Sequence, residues 1–96
     1  MKKTDTNAKF RALASDTRRQ MIQRLAARGE LCVGDLAEGI TDATGSAISR
    51  HVRALEDAGL VERRVDHARR MISLRPGALG FLAEWAGIGA TREAAE

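Results

Sequence analysis

Two short helical patterns joined by a polar turn, with a basic hairpin directly behind them, predict a mainly α fold carrying a small β-hairpin wing (α+β), that is, a winged helix-turn-helix. The first pattern is Val33, Leu36, Ala37 and Ile40, apolar at helical spacing. Thr41-Asp42-Ala43-Thr44-Gly45 breaks it with small and polar turn residues. The second runs from Ser46 onward: Ile48, Val52, Leu55 and the flanking Ala58 share one face, which must pack against the first helix. Ser46, Ser49, Arg50 and Arg53 share another face, at i, i+3, i+4 and i+7. That face carries hydroxyl and guanidinium donors and no acid, and Glu56 and Asp57 come only at the far end. Such a helix suits a phosphate-rich groove; an ordinary solvated basic face is the alternative reading of this stretch taken alone. Gly59 then stops the helix as a left-handed C′ residue. Residues 60–66 and 69–75 read as two strands around Asp66-His67-Ala68, a hairpin with an arginine-rich tip.

The rest of the chain frames this motif. Residues 1–7 are polar and expected to form a flexible N-terminus, with Thr6 or Asn7 capping a first helix that turns Phe10, Leu13 and Ala14 inward. Ser15-Asp16-Thr17 interrupts it, with Asp16 as the expected N-cap of the next helix. Met21, Ile22 and Leu25 mark that helix's buried stripe, which ends near Arg28 with Gly29 as stop signal. Arg18, Arg19, Arg24 and Arg28 read as a solvated face, with contacts to flanking phosphates by some of them as the alternative. Glu30-Leu31-Cys32-Val33 is a short extended segment able to join the wing as a third strand. Pro76-Gly77 ends the wing, and a last helix from about Gly77 to Ala90 presents Leu79, Phe81, Leu82, Trp85, Ala86 and Ile88 as a broad apolar face. The domain is therefore placed at residues 8–90, with 91–96 as a flexible tail.

Ninety-six residues make one small domain, near the lower end of sizes that bury a self-sufficient core, and association is a common remedy. No apolar run approaches the ~18 residues of a membrane span. The Met-Lys-Lys start continues Thr-Asp-Thr-Asn, with no apolar stretch behind it, unlike a signal peptide. A single cysteine cannot form an internal disulfide, which fits a reducing, cytoplasmic setting. The net charge of +3 is unevenly spread. Residues 1–28 and 46–75 carry fifteen of the sixteen basic side chains, whereas 29–45 carry acids alone, so positive charge gathers on the N-terminal segment, the second motif helix and the wing.

Phe10-Arg11-Ala12-Leu13-Ala14-Ser15-Asp16-Thr17-Arg18-Arg19, Glu30-Leu31-Cys32-Val33-Gly34-Asp35-Leu36-Ala37, Ile48-Ser49-Arg50-His51-Val52-Arg53-Ala54-Leu55 and Ala58-Gly59-Leu60-Val61 together carry a resemblance. Over roughly residues 8 to 85 the chain resembles the arsenic-repressor (ArsR) family of small bacterial winged helix-turn-helix repressors. The resemblance implies a homodimer built on the first and last helices, here Phe10, Leu79, Leu82 and Trp85. Where the family often has a proline after the capping aspartate, this chain has Thr17. Much of the family senses metals, through a Cys-Val-Cys pair or through Asp and His residues on the last helix. This chain has Cys32-Val33-Gly34 and no histidine in the last helix, so no metal site and no cofactor are expected. In the family the position of Cys32 is often a capping Ser or Thr with an acid three residues on, here Asp35. Cys32 is read first as a small residue in that cap slot, and secondarily as an oxidation-sensitive thiol at a helix N-terminus.

No nucleophile–base–orienter set, phosphate-binding glycine loop or paired buried carboxylates suggest an enzyme. The expected function is a sequence-specific transcriptional regulator, a repressor that binds double-stranded DNA at an imperfect palindrome as a homodimer. Ser46, Ser49, Arg50 and His51 are the candidates near base edges, Arg50 being suited to guanine. Thr44, Arg53, Arg64, Arg69 and Arg70 are expected to position the duplex through phosphates or the minor groove. The alternative is a winged-helix protein–protein interaction module, since the fold alone does not decide.

Overall fold

The computed structural model describes residues 4–40 and 44–87. In chain order these form α1 (Thr4–Ala12), α2 (Asp16–Arg28), β1 (Leu31–Cys32), α3 (Val33–Ala37), α4 (Gly45–Asp57), β2 (Val61–Asp66), β3 (Arg69–Leu74) and α5 (Gly80–Ala86). The winged helix-turn-helix expected from the sequence is present: α3 and α4 are its two helices, β2 and β3 its wing. β1 joins as the third strand of an antiparallel sheet in the order β1-β3-β2. The expected turn at Thr41, Asp42 and Ala43, the side chain of Ile88 and the tail 91–96 lie outside the described residues.

One core holds these elements. Met21, Ile22 and Leu25 of α2, Leu36 of α3, Ile48, Val52 and Leu55 of α4, and Val61 and Ile72 of the sheet are all buried in a single cluster. Each belongs to the stripe or strand face that apolar spacing marks out, so burying them fixes α4 relative to the sheet.

The ends of the elements differ from expectation in instructive ways. α1 already runs from Thr4, ahead of the expected cap at Thr6 or Asn7. The cap of α2 is Ser15, not Asp16: its hydroxyl accepts from the Arg18 amide at 3.2 Å, and Asp16 becomes the first helical residue, where its charge favours the helix dipole. α3 stops at Ala37 because Glu38 turns extended (φ −60, ψ 130), yet Ile40 is still buried beyond it. The last helix is shorter than Gly77 to Ala90. It begins at Gly80 after turns in which the Ala78 and Gly80 amides bond Arg75 and Gly77 carbonyls, and it stops at the left-handed Gly87.

The end of α4 follows the expectation for Gly59. The Leu60 amide donates to the Leu55 carbonyl and the Gly59 amide to that of Glu56, both at 3.0 Å, with Gly59 at φ 80. This is a Schellman closure, and the buried Leu55 and Leu60 supply its apolar contact. A Cβ on Gly59 would meet only the Lys9 side chain, at an ordinary 3.9 Å. The cost of Gly59→Ala is therefore backbone strain alone, expected as about 1 kcal/mol of unfolding free energy by urea titration.

Candidate nucleic-acid interface

Thr44 caps α4, its Oγ1 accepting from the Ala47 amide at 3.2 Å. The cap starts the helix cleanly in front of Ser46, and Ser46, Ser49, Arg50 and Arg53 then stand exposed along one strip. The strip is not wholly basic. Asp57 lies on it one turn beyond Arg53, with Oδ1 3.8 Å from Arg53 Nε, so the free positive charge belongs to the N-terminal half of the helix.

The wing register decides which arginines join this strip. Residues directly opposite in an antiparallel pair share a face. Arg63 opposite Ile72 and Val65 opposite Arg70 form the face toward α4; Arg64 opposite Met71 and Asp66 opposite Arg69 form the other. Arg63 and Arg70 accordingly line a cleft with Val33, Ser49, Val52 and Arg53. Arg63 is not among the residues expected at the interface from the sequence; its guanidinium is held by Glu56 of α4 through Nε at 3.1 Å and 3.2 Å. The signal for it was the register itself, set by a two-residue turn, His67-Ala68, with His67 at φ 61.

On the opposite face, Arg64 makes a two-pronged pair with Glu30, both bonds 2.8 Å, and Arg69 Nη2 donates to Cys32 Sγ at 3.2 Å. These two arginines thus point away from the cleft. Arg64 and Arg63 each hold their carboxylate, Glu30 and Glu56, below its ordinary value by hydrogen bonding. Cys32 does occupy the N-cap slot of α3, but its thiol makes no cap hydrogen bond: it is half-buried against a guanidinium instead. Among the described residues no three His, Cys, Asp or Glu side chains gather as metal ligands. A cation already sits on the sole thiol.

His51 also leaves the strip. It is half-buried, with Nδ1 3.4 Å from Arg18 Nη1 of α2. Desolvation first, then the Arg18 and Arg50 charges, push the imidazole below its ordinary 6.5. Arg18 is consequently not the solvated residue expected of it.

The second candidate surface is formed by α1 and α5. Phe10 meets Phe81 edge-on at 5.1 Å and Trp85 at 5.3 Å. Phe81 is buried and Leu79 is half-buried against the core, whereas Leu82 (38% exposed) and Trp85 (69%) face outward. No described helix is long and apolar enough to cross a membrane.

A model of the helix-turn-helix domain matches residues 13–64 of the chain. The chain is 40% identical over 73 residues to the HTH-type transcriptional regulator Rv2034 of Mycobacterium tuberculosis, covering 76% of this chain and 66% of that protein, just under two thirds of its length. Its fold is similar to the crystal structure of the ArsR family transcriptional regulator RHA00566, with a TM-score of 0.79 and 26% identity, covering 91% of this chain and 88% of that one. It is also similar to the homodimeric winged helix-turn-helix DNA-binding domain of Mb0332 from Mycobacterium bovis, with a TM-score of 0.71 and 26% identity, covering 86% and 76%. Motif, wing and relatives agree, and the chain belongs to the ArsR family of winged helix-turn-helix transcriptional regulators, a family of regulators rather than enzymes.

Proposed function

We propose that this protein is a cytoplasmic, homodimeric repressor that binds an imperfect palindrome in double-stranded DNA. One observation carries the reading: Ser46, Ser49, Arg50 and Arg53 stand exposed on α4, and Arg70 of the wing lines the same cleft as Ser49 and Arg53. Ser46, Ser49 and Arg50 face base edges in the major groove, while Arg53 and Arg70 hold the backbone that runs between helix and wing. The outward Leu82 and Trp85, beside Phe10, meet their copies in the partner and set two α4 helices one helical turn of DNA apart.

Selection of binding sites from random duplexes tests this. A palindrome with two half-sites about 10 base pairs apart is expected, and its affinity must fall steeply with salt. A protein-interaction module would enrich no duplex.

Metal sensing is not part of this reading, because the family's paired ligands are missing and the Cys32 thiol faces Arg69. One equivalent of zinc per protomer is expected to change the operator dissociation constant by less than about twofold, since a lone thiolate cannot complete a tetrahedral site. A reversible tenfold weakening would overturn that expectation.

A further inference from the structure

Arg18 ties three helices together. Its Nε donates to the Ala12 carbonyl at the end of α1 at 2.7 Å, and its Nη1 reaches His51 Nδ1 in the middle of α4 at 3.4 Å. Its own amide is held by Ser15 at the start of α2. Backbone and side chain of one half-buried residue are thus both anchored. A guanidinium has donors only, so the His51 contact requires a neutral ring that accepts at Nδ1 and carries its proton on Nε2. The charges acting on the ring are Arg18 of α2 and Arg50 of α4, both positive. In the groove beside Arg18, α1 contributes Arg11 and α4 contributes Asp57, which is already close to Arg53. An imidazolium would find a donor opposite it and no carboxylate among the charges acting on it.

We propose that Arg18 is a positioning residue for DNA recognition: through His51 as acceptor it pins α4 to the junction of α1 and α2, linking the dimer-facing helix to the base-reading one. This rests on the DNA-binding reading above. Protonating His51 releases the pin. The ordinary imidazole value is 6.5 and the folded value lies below it. Between the two the unfolded chain binds more protons, so the contribution is complete above pH 6.5 and is lost as pH falls through the folded value. The added positive charge would meanwhile favour every duplex alike. The readout is therefore the ratio of affinities for the selected and a scrambled duplex.

The test uses the full chain in two arms. On free protein, long-range proton–nitrogen NMR should find His51 Nδ1 bare near neutral pH, with its titration midpoint below 6.5. A proton on Nδ1 would overturn the proposal. In the second arm, fluorescence anisotropy gives the ratio from about pH 8 to about pH 5.5, the range in which histidine changes charge. The wild-type ratio should fall with pH, whereas His51→Gln, which keeps an acceptor without a titrating charge, should hold it flat. His67 is present in both proteins and cancels from the comparison. Arg18→Lys should lower the ratio about tenfold at neutral pH, because an ammonium lacks the planar fork that spans two acceptors. If Arg18→Lys binds both duplexes like wild type, or weakens both equally, Arg18 acts as a plain charge and the proposal fails. Identical pH profiles for wild type and His51→Gln also overturn it, and they decide the matter alone should Arg18→Lys unfold. A wrong tautomer with an intact operator sinks the pin only; a selection that enriches no duplex sinks the DNA reading beneath it.

Discussion

Trp85→Ala is expected to raise the dimer dissociation constant about thirtyfold or more, the equivalent of ~2 kcal/mol for truncating an aromatic anchor at an interface centre. The expectation follows from a contrast within one helix. Phe81 and Trp85 are one turn apart on α5 and both touch Phe10, yet Phe81 is 8% exposed and Trp85 is 69% exposed. Phe81→Ala empties a core position and should cost the fold itself ~3–5 kcal/mol. Trp85→Ala removes from the protomer only an edge-to-face contact, about 1 kcal/mol. Its larger effect must appear where a partner covers the ring. Sedimentation equilibrium over a concentration series reads the dimer, and operator affinity should fall with it as the two half-sites are no longer bound together. A Trp85→Ala protein that remains as tight a dimer as wild type would place the interface elsewhere.

Arg50→Ala is expected to cost about 1–3 kcal/mol per half-site on the selected operator and far less on scrambled DNA. Among the described residues, Arg50 and Arg70 make no ion pair or side-chain hydrogen bond, whereas Arg53, Arg63, Arg64 and Arg69 each have a partner in the fold. An unpaired guanidinium reaches DNA without first giving up a carboxylate. Arg50 stands on the strip of α4 that holds the small donors Ser46 and Ser49, where a fork can meet guanine N7 and O6. Arg70 stands in the cleft, so Arg70→Ala should weaken both duplexes alike and lower the salt slope by about one per protomer. Arg64→Ala should leave that slope nearly unchanged, because Arg64 already holds Glu30 on the far face of the wing. Anisotropy on both duplexes across a salt series separates the three variants. Equal losses on both duplexes for Arg50→Ala would make it a phosphate contact and displace the reading face.

The two motif helices, the wing and the third strand could be read from the chain because their signals are local. Ile48, Val52 and Leu55 recur at helical spacing, Gly59 carries its own stop signal, and two short runs, 60–66 and 69–75, flank a turn. The strip Ser46, Ser49, Arg50 and Arg53 follows from the same periodicity and needs no tertiary information. Partnerships between distant segments were not readable. Ser15 rather than Asp16 caps α2, a choice between two adjacent good caps that depends on which oxygen reaches the Arg18 amide. Arg64 and Arg69 looked equivalent to Arg70 in an arginine-rich hairpin, but a two-residue turn fixes the register, and with period-2 alternation one position moves a side chain to the other face. Arg70 therefore joins Ser49 in the cleft while Arg64 and Arg69 meet Glu30 and Cys32, which lie 34 and 37 residues away. His51, next to Arg50 in sequence, leaves the exposed strip and lies half-buried against Arg18, 33 residues earlier. Periodicity sets the direction of a side chain on its own element; only the packing of one element on another decides what that side chain meets.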